Sequence, residues 1–196
     1  TLPEEVEEIV TEVVQQIPGD HVGIHVHNDT DNGVANSLAA VRAGARQIQG
    51  TLNGLGERCG NANLTSIIPT LLLKSGYAER YETKVTHESL RSLTHASRVL
   101  DEILNREHDR HSPYVGAAAF AHKGGIHVSA VQKDPRTYEH VTPDTVVKVR
   151  KLLVSDQGGS SNILAQLDRI GIDVKNDDPR IGRHIEEVNA REAVSN

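Results

Sequence analysis

Two short strand patterns alternate with three helical patterns early in this chain, and their order is the feature that most constrains the fold. Residues 21–27 and 45–50 have the composition of strands. The stretches around them, 6–17, 34–41 and 64–74, carry apolar residues at helical spacing. Helices that alternate with strands in this way are typical of a parallel sheet covered by helices. The sequence therefore predicts an α/β fold.

Composition narrows the range of partners and compartments. The 196 residues carry a formal net charge of −6, which gives no reason to expect nucleic acid or an anionic membrane as a partner. No stretch approaches the roughly 18 apolar residues of a membrane span. Cys59 is the single cysteine, for which we favour the role of a buried small apolar residue over that of a reactive thiol. A reducing cytoplasm is the simplest compartment. The chain lacks methionine and opens directly at a helix start, which we interpret as a fragment.

The pattern changes after Tyr77. One long helix is predicted over residues 86–106, and its expected buried face consists of Leu90, Leu93, Leu100, Ile103 and Leu104. Residues 146–154 fit either a strand or a short helix, and residues 162–170 fit a helix. The polar tail after Asp173 hints at one more helix.

His25 and His27 end the first predicted strand with two imidazoles. Side chains two residues apart on a strand project from the same face. In α/β barrels, catalytic groups lie at the C-terminal ends of strands, and the polar pair Asn28-Asp29 follows at once. Imidazoles with oxygen partners suit Mn²⁺, Zn²⁺ or Fe²⁺, and Mg²⁺ less typically. We interpret the pair as metal ligands; the alternative is a structural or exposed pair of histidines.

A glycine-rich loop, Gly54–Asn61, follows the second predicted strand. Its glycines free the backbone for a tight turn at the same end of the sheet. Asn61 offers a carbonyl oxygen to a hard cation. The alternative is that Asn61 caps the helix that begins near Leu64, and both roles can hold together. We expect Glu57 and Arg58 either to pair with each other or to orient neighbouring groups.

Paired glycines beside histidines mark a third candidate site at Ala121–His127. They indicate close approach to a ligand or to another backbone; the alternative is a kinked helix that carries His127 on its surface. Tyr138 follows in a proline-flanked loop, where packing is the usual role. A small basic cluster lies further on, which we interpret as a solvated face, with a phosphate contact as the alternative: Lys148, Arg150 and Lys151.

Taken together, these segments resemble a known enzyme family. HVHNDTDNGVANSLAAVRAGA followed by QGTLNGLGERCGNANL is similar to the metal-dependent Claisen-condensing and lyase barrels. These are the 2-isopropylmalate, citramalate and homocitrate synthases, with 3-hydroxy-3-methylglutaryl-CoA lyase as a more distant relative. The Gly-Glu-Arg-x-Gly-Asn form of the loop resembles the synthase branch. AFAHKGGIHVSAVQKDPRTYEHVTPD and VSDQGGSSNI resemble the accessory region of citramalate-synthase-type members.

The resemblance implies an architecture. Residues 1–80 would form the C-terminal part of a TIM (β/α)8 barrel, about a quarter of the whole. Residues 81–170 would form a mainly helical linker subdomain, and residues 171–196 are an unassigned C-terminal segment. The implied assembly is a homodimer whose subdomains are exchanged between barrels.

The resemblance also implies roles for individual residues. His25 and His27 match metal ligands near the end of the seventh barrel strand, and Asn61 matches a further residue that approaches the metal. His127 and Tyr138 match catalytic residues of the subdomain, which reach into the active site of the partner subunit. The implied metal is Mn²⁺ or Mg²⁺, with Zn²⁺ as an alternative.

The implied reaction condenses acetyl-CoA with a 2-oxo acid. A divalent ion polarises the keto group, a general base takes a proton from the acetyl methyl group, and thioester hydrolysis releases CoA. Pyruvate, giving citramalate, is the favoured substrate. 2-Oxoisovalerate, giving 2-isopropylmalate, is the next. Either product belongs to isoleucine or leucine biosynthesis.

Two departures from the family pattern leave alternatives open. The family's metal-binding aspartate and its neighbouring arginine lie on the first barrel strand, which is absent, so the isolated chain is expected to be inactive. Ser129 stands where some citramalate synthases carry an aspartate. The alternatives are a hydroxyacyl-CoA lyase of the same superfamily and a non-catalytic metal-binding or dimerisation remnant.

Overall fold

The computed structural model describes residues 1–146, 148, 150–152, 160–172, 174, 178–183 and 187. The chain divides into two compact units, each described here by itself. Unit 1 comprises Thr1–Asp109 and Pro113–Val115. Unit 2 comprises Arg110–Ser112 and the described residues from Gly116 onward.

Unit 1 contains the alternation of helices and strands that the sequence predicts. Its elements are, in chain order, α1 (Pro3–Val14), β1 (Gly23–His25), α2 (Gly33–Ala43), β2 (Gln47–Gln49), α3 (Leu64–Leu73), α4 (Ser75–Ala78), α5 (His87–Leu90) and α6 (Leu93–Ile103). Short 3-10 turns at Gly19–His21 and Leu52–Gly54 precede β1 and follow β2. The predicted strands are present but shorter than expected, and His21 at the start of the first predicted strand belongs to the turn that precedes β1.

The β1 and β2 strands pair in parallel, and the pairing gives the sheet two different faces. In register, Gly23 lies beside Gln47, Ile24 beside Ile48, and His25 beside Gln49. Ile24 packs against an apolar cluster formed by residues of α1, α2 and the turn after α2: Val6, Val10, Ala40 and Ala45. The opposite face carries His25, Gln47 and Gln49, all exposed. Helices therefore cover one face, and polar side chains occupy the other.

Gly44 makes the tight turn that returns the chain from α2 to β2. Its φ of +126° lies in a region that residues with a Cβ rarely adopt. Its N–H donates to the carbonyl oxygens of Ala40 and Val41, which closes the helix. A Cβ at this position would also press against Val14 of α1 at 3.1 Å. The turn therefore fixes where β2 starts relative to the helices behind it.

The long helix predicted over residues 86–106 is wrong: the structure has α5 and α6, separated at Arg91-Ser92. Leu90 is buried at 1% exposure, as predicted, but Ile103 is 75% exposed. Leu93 of α6 is buried, as predicted, together with the small polar residues Thr94 and Ser97. Leu104, at 40% exposure, is exposed beside Ile103 at the end of the helix, so the predicted buried face does not extend that far.

Unit 2 contains, within its described residues, two short strands, two longer helices and a helical turn at residues 179–183. The strands and longer helices are β3 (Ala121–His122), α7 (Gly125–Lys133), β4 (Lys151–Leu152) and α8 (Ser160–Arg169), with 3-10 turns at Pro135–Thr137 and Pro143–Val146. β3 pairs with β4 in parallel. Val128 and Val131 of α7 are buried in the core of the unit, as are Phe120, Val146 and Ile163. Of the ambiguous 146–154 segment, the described residues Lys151 and Leu152 are strand.

Some sequence predictions fall outside the described residues. Residues 153–159, which carry most of the VSDQGGSSNI motif, are among them, and so is most of the helix suggested in the tail. The helix predicted at 162–170 is present as α8. Within the described part of the chain, none of the helices combines the length and apolar character that crossing a membrane requires.

Candidate functional site

The two histidines of the first motif lie together at the C-terminal end of β1. His25 is the last residue of the strand, and His27 follows two positions later. Their ring centroids are 5.3 Å apart, and the rings meet edge to face at 84°. Both side chains are exposed on the polar face of the sheet. The prediction that the strand places both imidazoles near one point therefore agrees with this geometry.

Asn61 is brought beside His27 by a short antiparallel pairing of the two loops. The Asn28 N–H donates to the Gly60 carbonyl oxygen at 2.8 Å, and the Ala62 N–H donates to the Val26 carbonyl oxygen at 3.1 Å. These bonds flank His27 and Asn61, which form an isolated bridge. A pair of this non-hydrogen-bonded type brings its side chains closer together than a hydrogen-bonded pair does. The backbone thus sets the amide next to the imidazole.

Glycine is required at the position just before this bridge. Gly60 has φ of +90°, and a Cβ there would collide with the carbonyl oxygen of Gly54. That carbonyl accepts the Asn61 N–H at 3.0 Å, so the close approach is part of the loop's own hydrogen bonding. Any larger residue would push Asn61 away from His27.

The Asn61 side chain is held at one end and left unsatisfied at the other. Its Nδ2 donates to the Leu55 carbonyl oxygen at 3.3 Å. Its Oδ1 is buried and has no hydrogen-bond partner. The alternative that Asn61 caps α3 is wrong, because Asn63 does so: its Oδ1 accepts from the Thr65 N–H at 2.9 Å and from the Thr65 hydroxyl at 2.7 Å.

These residues fit a divalent cation by their donor chemistry. A buried carbonyl oxygen without a partner costs roughly 1–3 kcal/mol, and a cation would satisfy it. Two imidazoles and one amide oxygen suit Mn²⁺ or Zn²⁺ well and Mg²⁺ less typically. Within the described residues, no group of three or more His, Cys, Asp or Glu side chains is arranged to hold a metal. Further ligands to a cation at His25, His27 and Asn61 would therefore have to come from elsewhere.

An exposed ion pair links the two loops that carry these donors. Arg58 donates from Nε and Nη2 to the two carboxylate oxygens of Asp29, at 2.8 and 2.9 Å. The hydrogen bond from Arg58 lowers the pKa of the Asp29 carboxyl. Of the two expectations for Arg58, orienting a neighbouring loop fits this contact better than pairing with Glu57. The predicted burial of Cys59 is wrong: the thiol is exposed.

Asn53 joins the same loop to α6, and sequence reasoning missed it. Its Nδ2 donates to the Ser97 carbonyl oxygen and to the Asp101 carboxylate, each at 2.9 Å, and its Oδ1 accepts from the Ser97 hydroxyl at 2.7 Å. The residue has φ of +57°, a conformation that asparagine tolerates better than most residues. An asparagine before a glycine in a loop was the available signal, since that pair marks a turn.

Gln49 is a second residue that the sequence did not single out. It pairs with His25 in register, and both side chains are exposed on the same face of the sheet. Its amide is therefore the nearest polar neighbour that β2 offers to the histidine. Register between the strands, which the sequence does not state, is what reveals it.

His127 and Tyr138, the predicted catalytic residues of the linker subdomain, meet within unit 2. His127 lies in the first turn of α7, and Tyr138 follows the 3-10 turn at Pro135–Thr137. Their ring centroids are 4.3 Å apart at an interplanar angle of 32°. Both side chains are exposed. The structure therefore presents the two rings as one surface feature of unit 2.

A buried carboxylate follows Tyr138 directly. The side chain of Glu139 is 3% exposed, and its two oxygens accept from Nε and Nη2 of Arg150 at 2.6 Å each. His122 Nε2 lies 3.2 Å from Glu139 Oε1. Burial alone would raise the pKa of Glu139, but the hydrogen bonds from Arg150 and His122 outweigh burial and lower it. Arg150, interpreted from sequence as part of a solvated basic face, is in fact paired inward.

The likeness to known proteins agrees with the geometry. The family described as HMGL-like matches residues 1–96, and the one described as Homocitrate synthase post-HMGL domain-like matches residues 114–192. The (R)-citramalate synthase of Aquifex aeolicus is 47% identical over 188 residues, or 96% of this chain and 35% of that protein.

Residues 1–96 belong to the HMGL-like family, and residues 114–192 belong to the homocitrate synthase post-HMGL domain-like family. The family resemblance inferred from the motifs is thereby confirmed. The α/β unit 1 of this chain covers part of the TIM-barrel fold of that superfamily.

Within the family, this member matches the citramalate-synthase-like branch. The (R)-citramalate synthase of Synechocystis is 48% identical over 91% of this chain and 33% of that protein. The 2-isopropylmalate synthase of Buchnera aphidicola is 34% identical over 91% of this chain and 34% of that protein. The chain thus spans about a third of the length of the curated relatives it matches.

Proposed function

We propose that the protein carrying this chain is an acyltransferase that condenses acetyl-CoA with pyruvate to form citramalate. The observation that carries the proposal is the pairing of His27 with Asn61, whose buried Oδ1 has no hydrogen-bond partner. This pairing occurs in a chain that is 47–48% identical to (R)-citramalate synthases. 2-Oxoisovalerate is the second candidate substrate. Either product would feed the synthesis of branched-chain amino acids.

His25, His27 and Asn61 would hold a divalent ion, Mn²⁺ or Mg²⁺, with Zn²⁺ as an alternative. When bound, that ion would supply Lewis-acid polarisation of the 2-oxo acid. The chain's part is to present two imidazoles and one amide oxygen from a rigid strand and a glycine-rich loop. Gly60 and the backbone bonds across His27 and Asn61 keep those donors in place before any ligand arrives.

His127 and Tyr138 would act on protons and on the bound thioester. His127 is suited to take or give a proton at its ring nitrogen, the usual role of a histidine in general acid–base catalysis. Tyr138, with its ring 4.3 Å away, is placed to orient the imidazole or donate its own hydroxyl. We propose that the two residues serve the active site of a partner subunit in a homodimer with exchanged subdomains. Residues 1–80 would then be the barrel part and 81–170 the linker subdomain.

The test measures CoA release from acetyl-CoA, with Mn²⁺ or Mg²⁺, against a panel of 2-oxo acids. Two proteins are compared: this chain, and a chimaera that joins it to the N-terminal part of the Aquifex aeolicus relative. We expect turnover by the chimaera alone, with pyruvate preferred. His25→Ala and His27→Ala in the chimaera should abolish it.

The outcome separates the candidate functions. A preference for 2-oxoisovalerate would replace citramalate by 2-isopropylmalate. Cleavage of a hydroxyacyl-CoA without condensation would favour the lyase alternative. The match of residues 114–192 to the homocitrate synthase post-HMGL region is evidence against that alternative. A chimaera that binds Mn²⁺ but turns over none of the substrates would support the third alternative, a non-catalytic metal-binding remnant.

A further inference from the structure

Three consecutive residues after the Pro135–Thr137 turn are each anchored to a different partner. The Tyr138 ring lies against His127, and the Glu139 carboxylate is buried. The His140 ring stacks on Phe120, with centroids 6.1 Å apart and planes 13° from parallel. Phe120 is itself only 4% exposed. The backbone at Glu139 is therefore fixed from inside unit 2, whereas the tyrosine before it faces outward.

Glu139 is the anchor with the strongest hold. Arg150 grips it with two parallel charge-assisted hydrogen bonds at 2.6 Å, the planar arrangement that adds both energy and direction. His122, whose side chain is 10% exposed, adds a third contact. A buried carboxylate that loses such partners is strongly disfavoured, so this position has little freedom to move.

Both partners of Glu139 belong to the small β3–β4 sheet or its edge. His122 is the last residue of β3, and Arg150 immediately precedes β4. His127 lies in α7, which starts shortly after β3. Asn162 of α8 further fixes that connection, because its Nδ2 donates to the Lys123 carbonyl oxygen at 2.9 Å. The loop that carries Tyr138 and the helix that carries His127 are thus both held in place by the same sheet.

We propose that Glu139 is a positioning residue for the reaction: held by His122 and Arg150, it sets the Tyr138 ring against His127. The inference rests on the proposed function, in which those two rings act on substrate. Glu139 itself is buried, and its carboxylate contacts Arg150 and His122. Its effect passes through the one peptide link that separates it from Tyr138.

The same loop contains a second carboxylate–arginine pair, which serves as a matched control. Asp134 accepts from Nε of Arg136 at Oδ1 and from Nη2 at Oδ2, but Arg136 is 89% exposed and only two residues away. A local, exposed pair of this kind contributes little to holding a loop. Arg136→Gln and Arg150→Gln therefore remove the same charge and the same bidentate contact, one at the surface and one in the clamp.

The first experiment reads the ring geometry directly, in the 196-residue chain. A through-space NMR cross-peak between the ring protons of His127 and Tyr138 is expected in the unaltered chain and in Arg136→Gln. We expect it to be lost in Glu139→Gln and Arg150→Gln. Arg150→Lys keeps the charge with one contact instead of two, and should retain a weaker cross-peak. A full-intensity cross-peak in Glu139→Gln with native Val128 and Val131 signals would overturn the proposal.

The second experiment uses the active chimaera. Glu139→Gln is expected to lower kcat by about 10- to 100-fold, since small displacements of catalytic groups cost that much, while the KM for acetyl-CoA stays within about twofold. If Glu139→Gln unfolds unit 2, the milder Arg150→Lys decides by the same two readouts. Unchanged kcat in Glu139→Gln, where His127→Ala is inactive, would refute positioning. Unchanged kcat in His127→Ala would instead refute the proposed function and leave the ring geometry to be judged by NMR.

Discussion

His27 and Asn61 lie directly opposite each other between two flanking backbone hydrogen bonds, and the Asn61 Oδ1 in that pair is buried without a partner. Asn61→Ala should therefore weaken Mn²⁺ binding by at least about tenfold, because it removes an oxygen that has no other use. In the metal-free chain the same change should cost little stability, since an unsatisfied oxygen disappears with the hydrogen bond to Leu55. Isothermal titration with Mn²⁺ and urea unfolding measure the two effects.

Asn63 provides the control for that prediction. It lies two residues further on and caps α3, so Asn63→Ala should lower the free energy of unfolding by about 1 kcal/mol and leave Mn²⁺ affinity unchanged. Equal losses of Mn²⁺ affinity in Asn61→Ala and Asn63→Ala would contradict the assignment of Asn61 as a ligand.

The contact between Asn53 and α6 should make a large contribution for a loop residue. Asn53→Gly keeps the positive φ accessible but removes the three hydrogen bonds to Ser97 and Asp101. We expect a loss of about 2–3 kcal/mol in urea unfolding. Asn105 also has positive φ but is exposed, so Asn105→Gly should change stability by less than about 0.5 kcal/mol. Comparable losses of unfolding free energy in both variants would show that backbone strain, and not the contact with α6, determines the effect of the asparagine on stability.

The lowered pKa of Glu139 predicts acid sensitivity in unit 2. A carboxyl whose folded pKa lies below its ordinary value of 4.5 stabilises the fold fully above that pH. The contribution disappears as the pH falls through the lowered folded pKa. The protection factors of the Val128 and Val131 amides, which compare each exchange rate with the intrinsic rate at the same pH, should therefore fall between pH 7 and pH 3. In Glu139→Gln that fall should be much smaller, and an unchanged fall in this variant would show that another group is responsible.

Burial in unit 1 predicts a contrast between two isoleucines. Ile67 of α3 is 1% exposed, so Ile67→Ala should cost about 2–5 kcal/mol. Ile9 of α1 is 57% exposed, and Ile9→Ala should stay within about 0.5 kcal/mol of the unaltered chain. Urea unfolding of both variants tests the core of unit 1, and a cost for Ile9→Ala as large as that for Ile67→Ala would mean that α1 buries this residue in solution.

The exposed thiol of Cys59 makes a prediction that contradicts the sequence expectation. A thiol reagent should modify the one cysteine of the folded chain without denaturant. The measurement is the absorbance of the chromophore that the thiol reagent releases on reaction, before and after addition of urea. A reaction that starts only in urea would restore the buried assignment.

The sequence predicted what depends on local patterns. The helix–strand order of unit 1 follows from apolar periodicity, and the end of α2 follows from Gly44, a residue suited to positive φ. The break between α5 and α6 carries neither glycine nor proline, so nothing in the local composition marked it. The contact of α6 with Asn53, through Ser97 and Asp101, is likewise nonlocal and invisible in the local pattern.

The candidate site was predicted as a set of residues, and not as a set of contacts. The position of Asn61 opposite His27 depends on a backbone pairing between two segments that lie far apart in sequence. The partnership of Glu139 with Arg150 was equally hidden, since an arginine beside two lysines has the composition of a solvated surface. In both cases a nonlocal contact overrode a plausible local pattern.

The containment of His25, His27 and Asn61 within one contiguous β–α–β segment and the loop after it has a consequence for inheritance and engineering. The mutual placement of these donors depends on β1, α2, β2 and their own loop bonds, so it would travel intact through gene fusion, truncation or recombination. If this segment were grafted onto another parallel sheet of matching twist, it would bring its two imidazoles and its amide already aligned. New binding preferences could then arise by exchanging the neighbouring strands alone.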